Sequence, residues 1–305
     1  MNKAIIDKYK GYGFKIVKKI SNKNKRFGAS YWLLSKNNEE YLLKIKEETS
    51  SKDFVFDENL SVIFSEFGYP SVYKVEYAEK KVIELTSFLR GKVILPKAYT
   101  LVNEDYFRFI QIFFDKYQKT VSDNISSDIG YYKNLDSKYF LNKISVYKAE
   151  IVDFFKDSLD DIFISIESEL VKNSKEFDKC MSVQHGDCYA SNMIINEKGQ
   201  VMLIDWESVK YAPIYFDFAT FFAKQILDEK LIMDLYQRQI QKVEENSRII
   251  LLNISIVLAL LKQLKNICSL DKETFESELF QRQSRLIFKY LINFSKQSLS
   301  KKIIL

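Results

Sequence analysis

The chain contains few cysteines, and their arrangement gives no sign of a pair. There are three in 305 residues, Cys180, Cys188 and Cys268. Because the number is odd and the spacings are not those of metal-binding cysteines, the pattern argues against a disulfide scaffold and against a zinc site. Such usage is typical of a reducing compartment, and a cytoplasmic location is therefore expected.

Long hydrophobic runs are also missing. The N-terminal stretch MNKAIIDKYKGYGFK has no apolar core of the length that a signal peptide needs. The most apolar segment, at 249–261, is closed by Arg248 and Lys262 and is shorter than a helix that crosses a bilayer. The sequence thus predicts no membrane span and indicates a buried helix at this point.

Neither sign of charge dominates the composition. The 46 basic and 41 acidic residues leave a net charge of +5, and the two signs are interspersed. The densest basic stretch, at 15–27, is short, whereas a nucleic-acid interface usually needs a larger basic face. We expect a folded globular protein that does not bind nucleic acid.

The first ninety residues have the pattern of a small antiparallel sheet with one helix. Apolar residues at helical spacing predict a helix over 53–67, which Gly68 ends. The paired polar turn at Asn37–Asn38 between two β-rich runs indicates a hairpin. Strands are predicted at 14–21, 30–35, 41–46, 71–77 and 81–89.

After Gly91 the pattern becomes mostly helical, with one β island at 193–206. Helices are predicted at 97–118, 137–175, 216–243, 247–267 and 272–297. The predicted fold class is α+β, with a β-rich lobe at 1–91 and a larger, mostly helical lobe at 92–305.

Three polar residues between 183 and 219 are spaced for metal-assisted chemistry. Asp187 and Asn192 lie on a polar loop that enters a strand, and Asp205 ends the next strand. A hairpin between Asn192 and Asp205 brings its two ends together, with Asp187 nearby. Oxygen ligands that are few in number suit Mg²⁺, which keeps several waters. Phosphoryl transfer needs such a metal together with a carboxylate that orients the attacking hydroxyl.

The same segment resembles the aminoglycoside phosphotransferase/choline kinase superfamily. HGDCYASN at 185–192 is similar to the catalytic loop of that family, LIDWE at 203–207 to its metal segment, and FDFA at 216–219 to a third signature. The resemblance implies a protein-kinase-like bilobal fold, with the catalytic loop at 183–192 and the metal segment at 203–207. It also implies ATP or GTP as the nucleotide, with Mg²⁺ as the metal.

The resemblance assigns a role to each residue of these motifs. Asp187 would be the catalytic base, and Asn192 and Asp205 would bind the metal. His185, which is the single histidine of the chain, and Asp217 would brace the catalytic loop.

In the β-rich lobe, the resemblance implies a phosphate-binding lysine. Lys44 lies in a strand and faces away from its apolar neighbours, and Lys46 is the alternative on the same face. Its acidic partner on the following helix would be Glu58 or Asp57, with Glu58 preferred for its residue type.

The adenine and the phosphates would be held by backbone groups. A hinge at about 84–91 would bind adenine through Glu84, Leu85 and Thr86. The phosphates would be held near Gly28 and Ser30, or by Lys25 and Arg26, because this loop has fewer glycines than is usual in the family.

These observations predict a kinase that transfers the γ-phosphoryl group to a hydroxyl of a small molecule. The acceptor stays open between aminoglycoside-like, choline- or ethanolamine-like and sugar-like compounds. A cation site could come from acidic residues at 228–245, and an ammonium could lie against Tyr211, Tyr215 and Phe216. The alternatives are a nucleotide-binding pseudokinase that regulates a partner and a metal hydrolase. The oligomeric state is expected to be monomer or homodimer.

Overall fold

The chain divides into two compact units, Met1–Gly91 and Lys92–Leu305. The computed structural model describes residues 2–20, 29–47, 57–78, 80–95, 101–125, 132–155, 159–243, 245–270 and 277–296. The first unit is built around an antiparallel sheet and the second around helices, so the α+β class predicted from the sequence is confirmed.

The sheet of the first unit has five strands in the order β1-β2-β3-β5-β4, with every neighbouring pair antiparallel. The strands are β1 (Lys15–Ile20), β2 (Ser30–Lys36), β3 (Glu39–Glu47), β4 (Tyr73–Ala78) and β5 (Lys81–Ser87). Between β2 and β3, Asn37 and Asn38 both have positive φ, of 53° and 64°. Asparagine tolerates this conformation, which two-residue hairpin turns require. The predicted hairpin is therefore present.

A helix that the sequence analysis missed precedes the sheet. Helix α1 (Asn2–Gly11) buries Ile5, Ile6 and Tyr9 against strand residues that include Leu34 and Leu43. The prediction of one helix in this unit is thus wrong. The spacing of the three buried residues fits one helical face, but the segment is short and rich in lysine, so its pattern was weak.

The second helix of this unit begins at a capped residue. In α2 (Glu58–Phe64), the side chain of the preceding Asp57 accepts hydrogen bonds from Asn59 N and Leu60 N at 2.8 and 3.4 Å. A 3₁₀ turn follows, and Gly68 ends it with a φ of 90°. Residues 53–56 of the predicted helix lie outside the described residues.

Eight α-helices are described in the second unit. They are α3 (Phe107–Asp123), α4 (Ser137–Phe155), α5 (Asp160–Lys172), α6 (Ser174–Lys179), α7 (Phe216–Lys224), α8 (Glu229–Lys242), α9 (Asn246–Cys268) and α10 (Glu278–Lys296). Two predicted helices were too long, because 137–175 and 216–243 are each broken by turns. At the second break, Asp228 N donates to Gln225 O at 2.8 Å and closes a turn.

Helix α9 is the core of this unit and packs against α4, α7 and α10. By length and composition alone it could cross a membrane, but 72% of its most apolar window is buried inside the protein. The buried helix expected at 249–261 is therefore present, within a longer helix.

Short strands in the second unit form two small sheets. Their order is β10-β9-β6 in one sheet and β7-β11-β8 in the other. The strands are β6 (Lys92–Val93), β7 (Lys133–Asn134), β8 (Met181–Gln184), β9 (Met193–Ile195), β10 (Val201–Leu203) and β11 (Lys210–Pro213). The prediction of a single β island was therefore incomplete, since strands of two to four residues are too short to show an alternating pattern.

The cap of α2 gives a test of local stability. Replacing Asp57 with alanine removes the acceptor for two helix amides, so the free energy of unfolding should fall by about 1 kcal/mol. Asp57→Asn keeps an acceptor and is the matched control. Urea denaturation of both variants measures the difference. An Asp57→Ala protein that keeps its stability but loses nucleotide affinity would instead assign Asp57 to the nucleotide site.

Candidate active site

The proposed catalytic loop follows strand β8, whose four residues are all buried. Strand β8 pairs with β11, and the loop then leads through a 3₁₀ turn at Ala190–Asn192 into the hairpin of β9 and β10. The three motifs noted in the sequence are therefore connected by short elements of one unit.

A buried carboxylate holds the backbone of this loop. Asp217, at the start of α7, is fully buried and accepts hydrogen bonds from His185 N at 2.6 Å and Gly186 N at 2.9 Å. Tyr117 Oη of α3 donates to the same carboxylate at 2.6 Å. Burial raises the pKa of Asp217, whereas the nearby His185 and these three donors lower it. A charge buried in this way is tolerated because hydrogen bonds satisfy it.

Tyr117 was missed by the sequence analysis. Its hydroxyl lies against both His185 N and Asp217, and burial raises its pKa well above the usual value. It belongs to a helix 68 residues before His185. Nothing in its local pattern distinguishes it from the other aromatic core residues of α3.

The imidazole of His185 is buried and its hydrogen bonds indicate one tautomer. Asp187 N donates to Nδ1 at 3.3 Å, so Nδ1 is the acceptor. The proton is then on Nε2, which lies 2.9 Å from Ile204 O. Burial lowers the pKa of His185 and favours this neutral form. The ring links the catalytic loop to the segment that carries Asp205.

Gly186 is required by the close approach of two backbone segments. Its φ is +85°, and a Cβ built on it would lie 1.9 Å from Ser208 O. Any other residue here would push the catalytic loop away from the segment between β10 and β11. Lys210 also lies along this loop, because its Nζ donates to Gly186 O at 3.2 Å.

Asn192 connects the proposed base with the proposed metal site. Its amide nitrogen donates to Asp187 O at 3.0 Å and to Asp187 Oδ2 at 3.3 Å. Asn192 is buried and Asp187 is half-buried. Since the amide nitrogen is directed to Asp187, the amide oxygen is directed away from it and can act as a ligand.

Asp205 lies at the other end of the same hairpin. Met193 pairs with Leu203, and Ile204 N donates to Asn192 O at 2.9 Å, so the strand ends are adjacent as expected from the sequence. Asp205 has a positive φ of 66° and is exposed. The structure therefore brings Asp187, Asn192 and Asp205 into one region.

This donor set fits magnesium better than a metal that needs a complete protein cage. Within the described ranges, no group of three or more His, Cys, Asp or Glu could hold a metal ion. One carboxylate and one amide oxygen suit Mg²⁺, which takes its remaining ligands from water and phosphate.

Among the described residues of the first unit, Glu84 lies beside both strand lysines, and Glu58 pairs with neither of them. Lys44 on β3 lies opposite Glu84 on β5, with Nζ 3.8 Å from Oε2, and Lys46 Nζ lies 2.5 Å from Oε1. Glu84 is buried. Glu58 is exposed in the first turn of α2, and Asp57 caps that helix. The predicted partner on the helix is corrected to a partner on the neighbouring strand.

The predicted hinge contacts also need correction. Glu84, Leu85 and Thr86 lie within β5, which pairs with β3 on one side and β4 on the other. Their backbone groups therefore belong to the sheet. The strand ends at Ser87, and a hinge contact with adenine would fall after it, at 88–91.

The predicted phosphate-binding loop lies mostly outside the described residues. Ser30 is half-buried at the first position of β2 and pairs with Ile45. Lys25, Arg26 and Gly28 lie outside the described residues, so their predicted contacts stay predictions.

Comparisons with solved structures agree with this architecture. A thermostable mutant of the aminoglycoside phosphotransferase APH(4)-Ia, in ternary complex with AMP-PNP and hygromycin B, is 14% identical. It has a TM-score of 0.65, with 97% of this chain and 98% of that chain covered. APH(4)-Ia itself is 12% identical at a TM-score of 0.60, covering 97% and 98%.

A weaker likeness is to the choline kinase LicA from Streptococcus pneumoniae. It is 14% identical at a TM-score of 0.49, covering 95% of this chain and 98% of that one. A search of curated protein sequences finds no match.

The fold is thus the protein-kinase-like α+β fold of small-molecule phosphotransferases. Residues 25–245 match the model described as the phosphotransferase enzyme family, APH. Because the match spans more than half of the chain, the protein belongs to this family.

The hydrogen bonds of Asp217 give a test that separates the loop brace from the chemistry. Replacing Asp217 with alanine leaves His185 N, Gly186 N and Tyr117 Oη without their acceptor, so unfolding free energy should fall by roughly 1–3 kcal/mol. Turnover should also fall, because the loop loses its anchor. Melting temperature and turnover measure the two effects.

Tyr117→Phe is the matched control for this test. It removes one donor but leaves both backbone bonds to Asp217, so its destabilisation should be smaller, about 1 kcal/mol. An Asp217→Ala protein that melts and turns over like the wild type would contradict the assignment.

Proposed function

We propose that this enzyme transfers the γ-phosphoryl group of ATP, or of GTP, to a hydroxyl of a small molecule in a Mg²⁺-dependent reaction. The acceptor oxygen gives its proton to Asp187 and bonds to the γ-phosphorus. The bond from that phosphorus to the bridging oxygen breaks, and the nucleoside diphosphate leaves. Mg²⁺ would neutralise the charge that develops on the phosphates.

The observation that carries this proposal is the double contact of Asn192 with Asp187. The amide nitrogen reaches both the backbone oxygen and Oδ2 of Asp187, at 3.0 and 3.3 Å. A base must be held within hydrogen-bond reach of the hydroxyl that it serves. One Asp187 oxygen is fixed by Asn192, and the carboxylate keeps a second oxygen for the acceptor.

We assign the metal to Asn192 and Asp205. Asn192 offers the amide oxygen that is left when its nitrogen binds Asp187. Asp205 offers an exposed carboxylate at the adjoining end of the hairpin. His185 holds the two segments together through its contacts with Asp187 N and Ile204 O.

We assign the nucleotide phosphates to Lys44, and to Ser30 at the start of β2. Glu84 holds the Lys44 ammonium on the face of the sheet, with Lys46 on the other carboxylate oxygen. Adenine would bind at the hinge after Ser87. We also propose that the enzyme is cytoplasmic and that it is a monomer or a homodimer.

The first test concerns the base. Asp187→Asn keeps the shape of the side chain but removes its ability to take a proton, so turnover should fall by about 10²–10⁴. Binding of Mg·ATP should persist, because the metal ligands are unchanged. Turnover is followed as ADP formation and binding by calorimetry. If the Asp187→Asn protein kept wild-type turnover, Asp187 would not be the base. If the wild-type protein itself formed no ADP with any acceptor, the pseudokinase alternative would be favoured.

The second test separates the two metal ligands. Asp205→Ala should weaken Mg·ATP binding more than Asn192→Ala, because a full charge is lost instead of one neutral oxygen. Asn192→Ala should also lower turnover at saturating Mg·ATP, since Asp187 loses its hydrogen bonds. Calorimetric titrations with Mg·ATP and with ATP plus EDTA give the affinities. Equal Mg·ATP affinity in both variants would overturn the assignment of the ligands.

A further inference from the structure

Three lysines lie close enough to Asp187 for its charge to act on them, and a fourth lies beside two of these. They are Lys133 of β7, Lys210 of β11, Lys224 of α7 and Lys262 of α9. None of them was assigned to the site from the sequence, because they lie far apart along the chain. Their convergence depends on the packing of α7 on α9 and on the pairing of β7 with β11.

Two of these lysines are direct neighbours in the β7-β11-β8 sheet. Lys210 pairs with Lys133 across parallel strands, so both side chains leave the same face of the sheet. Like charges at neighbouring positions of a sheet repel each other. The Nζ of Lys210 continues to the catalytic loop, where it donates to Gly186 O at 3.2 Å.

The other two lysines approach the same loop from the helices. The Nζ of Lys262 lies 6.0 Å from the centre of the Phe216 ring, and that of Lys210 lies 5.9 Å from the same ring. The Nζ of Lys224 lies 5.5 Å from the ring of Tyr189, two residues after Asp187.

The environment of Lys210, Lys224 and Lys262 disfavours their charge. Burial lowers the pKa of Lys210 and Lys224, and the attraction of Asp187 opposes this in both cases. The pKa of Lys262 is lowered to about 8, first by burial and then by the charges of Lys210 and Lys224. Lys262 as a residue is nevertheless exposed to solvent, so a ligand can approach it.

These cations are not neutralised by ion pairs in the part of the chain that the structure describes. Other surface lysines there do have partners, such as Lys265 with Glu150 at 3.2 Å. Unpaired like charges gathered around one carboxylate are unfavourable unless an anion completes the site.

Three of the acidic residues first considered for a cationic acceptor have partners within the protein. Asp228 is buried and accepts from Val102 N at 3.2 Å, and Glu229 pairs with Lys289 at 2.6 Å. Asp234 binds Gln111. Glu244 lies outside the described residues. The Phe216 ring, considered as a wall for an ammonium, already faces two lysines of the protein.

We propose that the acceptor is an anionic alcohol, whose carboxylate or phosphate group binds among Lys133, Lys210, Lys224 and Lys262 while its hydroxyl lies at Asp187. The proposal rests on the proposed function, since it uses Asp187 as the base. The anionic group stays unchanged in the reaction. It holds the acceptor in place, and the proton and the phosphoryl group move as described above.

The first experiment compares acceptors that differ in charge. The full chain is assayed for ADP formation with Mg·ATP and a neutral hexose, a hexuronate, a hexose phosphate and an amino hexose, together with glycerol, glycerate, glycerol phosphate and ethanolamine. The highest kcat/KM is expected for an anionic member. The uronate and phosphate arms show which anion is preferred. A neutral or cationic best acceptor would overturn the inference and leave the kinase assignment intact.

Binding is measured separately, so that a failure of the kinase assignment does not hide the result. Hexuronate and hexose phosphate are titrated into the wild type and Lys262→Ala by calorimetry without nucleotide. Binding to the wild type that weakens roughly tenfold in the variant supports the inference. No binding of either anion to the wild type, together with no turnover of any anionic acceptor, would contradict it.

Variants of Lys262 test whether the lysines bind the acceptor or the nucleotide. Lys262→Ala should raise the KM of an anionic acceptor roughly tenfold, with the KM of Mg·ATP unchanged within about twofold. Lys262→Arg should restore the acceptor KM. Lys265→Ala, on the same helix but paired with Glu150, is the control. A Lys262→Ala protein whose KM rises for Mg·ATP alone would assign the lysines to the nucleotide phosphates and overturn the proposal.

The pH dependence gives an independent signature. Because the pKa of Lys262 is about 8, its charge is lost as the pH rises through that value. Lys133, Lys210 and Lys224 repel its proton and Asp187 attracts it. Affinity for the hexuronate, which stays ionised throughout, should therefore fall between about pH 7 and 9 in the wild type. Lys262→Arg should remove the fall, and an unchanged pH profile in that variant would count against Lys262 as a ligand.

Discussion

The hydrogen bonds of the Asp217 carboxylate fix the backbone of the loop that carries the proposed base, Asp187. They connect the start of α7, Tyr117 of α3 and the backbone at His185 and Gly186. A carboxylate without solvent contact is stable only when donors satisfy it, so the three elements are held to one arrangement. The loop that carries Asp187 therefore inherits its shape from a residue thirty positions later that the substrate need not contact.

The rest of the site is arranged around this loop by backbone contacts. Gly186 allows the segment at Ser208 to approach so closely that a side chain would not fit. His185 then bonds to Ile204 O, and Asn192 O accepts from Ile204 N, so the loop and the hairpin are joined twice. The loop thus positions both Asp187 and the hairpin end at Asp205. This coupling explains why the motifs are close in sequence, since short connections leave little freedom between them.

How much could be predicted from the sequence depended on how far apart along the chain the interacting residues lie. The order and spacing of the three motifs predicted the fold class and the convergence of Asn192 and Asp205, because a hairpin is a local structure. Tyr117 was missed, since its partner Asp217 is 100 residues away and its local pattern is that of a core aromatic. Glu58 was preferred over Asp57 on the helix, and Glu84 was not considered as the partner of Lys44, because the register of β3 with β5 could not be inferred. The four lysines were missed for the same reason.

The lysines give the site a character that family membership does not determine. The same loop and hairpin could serve any acceptor, because the proposed base Asp187 needs only a hydroxyl and the proposed metal ligands need only phosphates. What differs is the surface around the base, and here α7, α9, β7 and β11 each contribute an ammonium group. Burial, and then repulsion from the neighbouring lysines, disfavour the charge of Lys262 and lower its pKa to about 8. Binding an anion would relieve the repulsion among the lysine ammonium groups. The same charges would therefore favour an anionic acceptor over a cationic one.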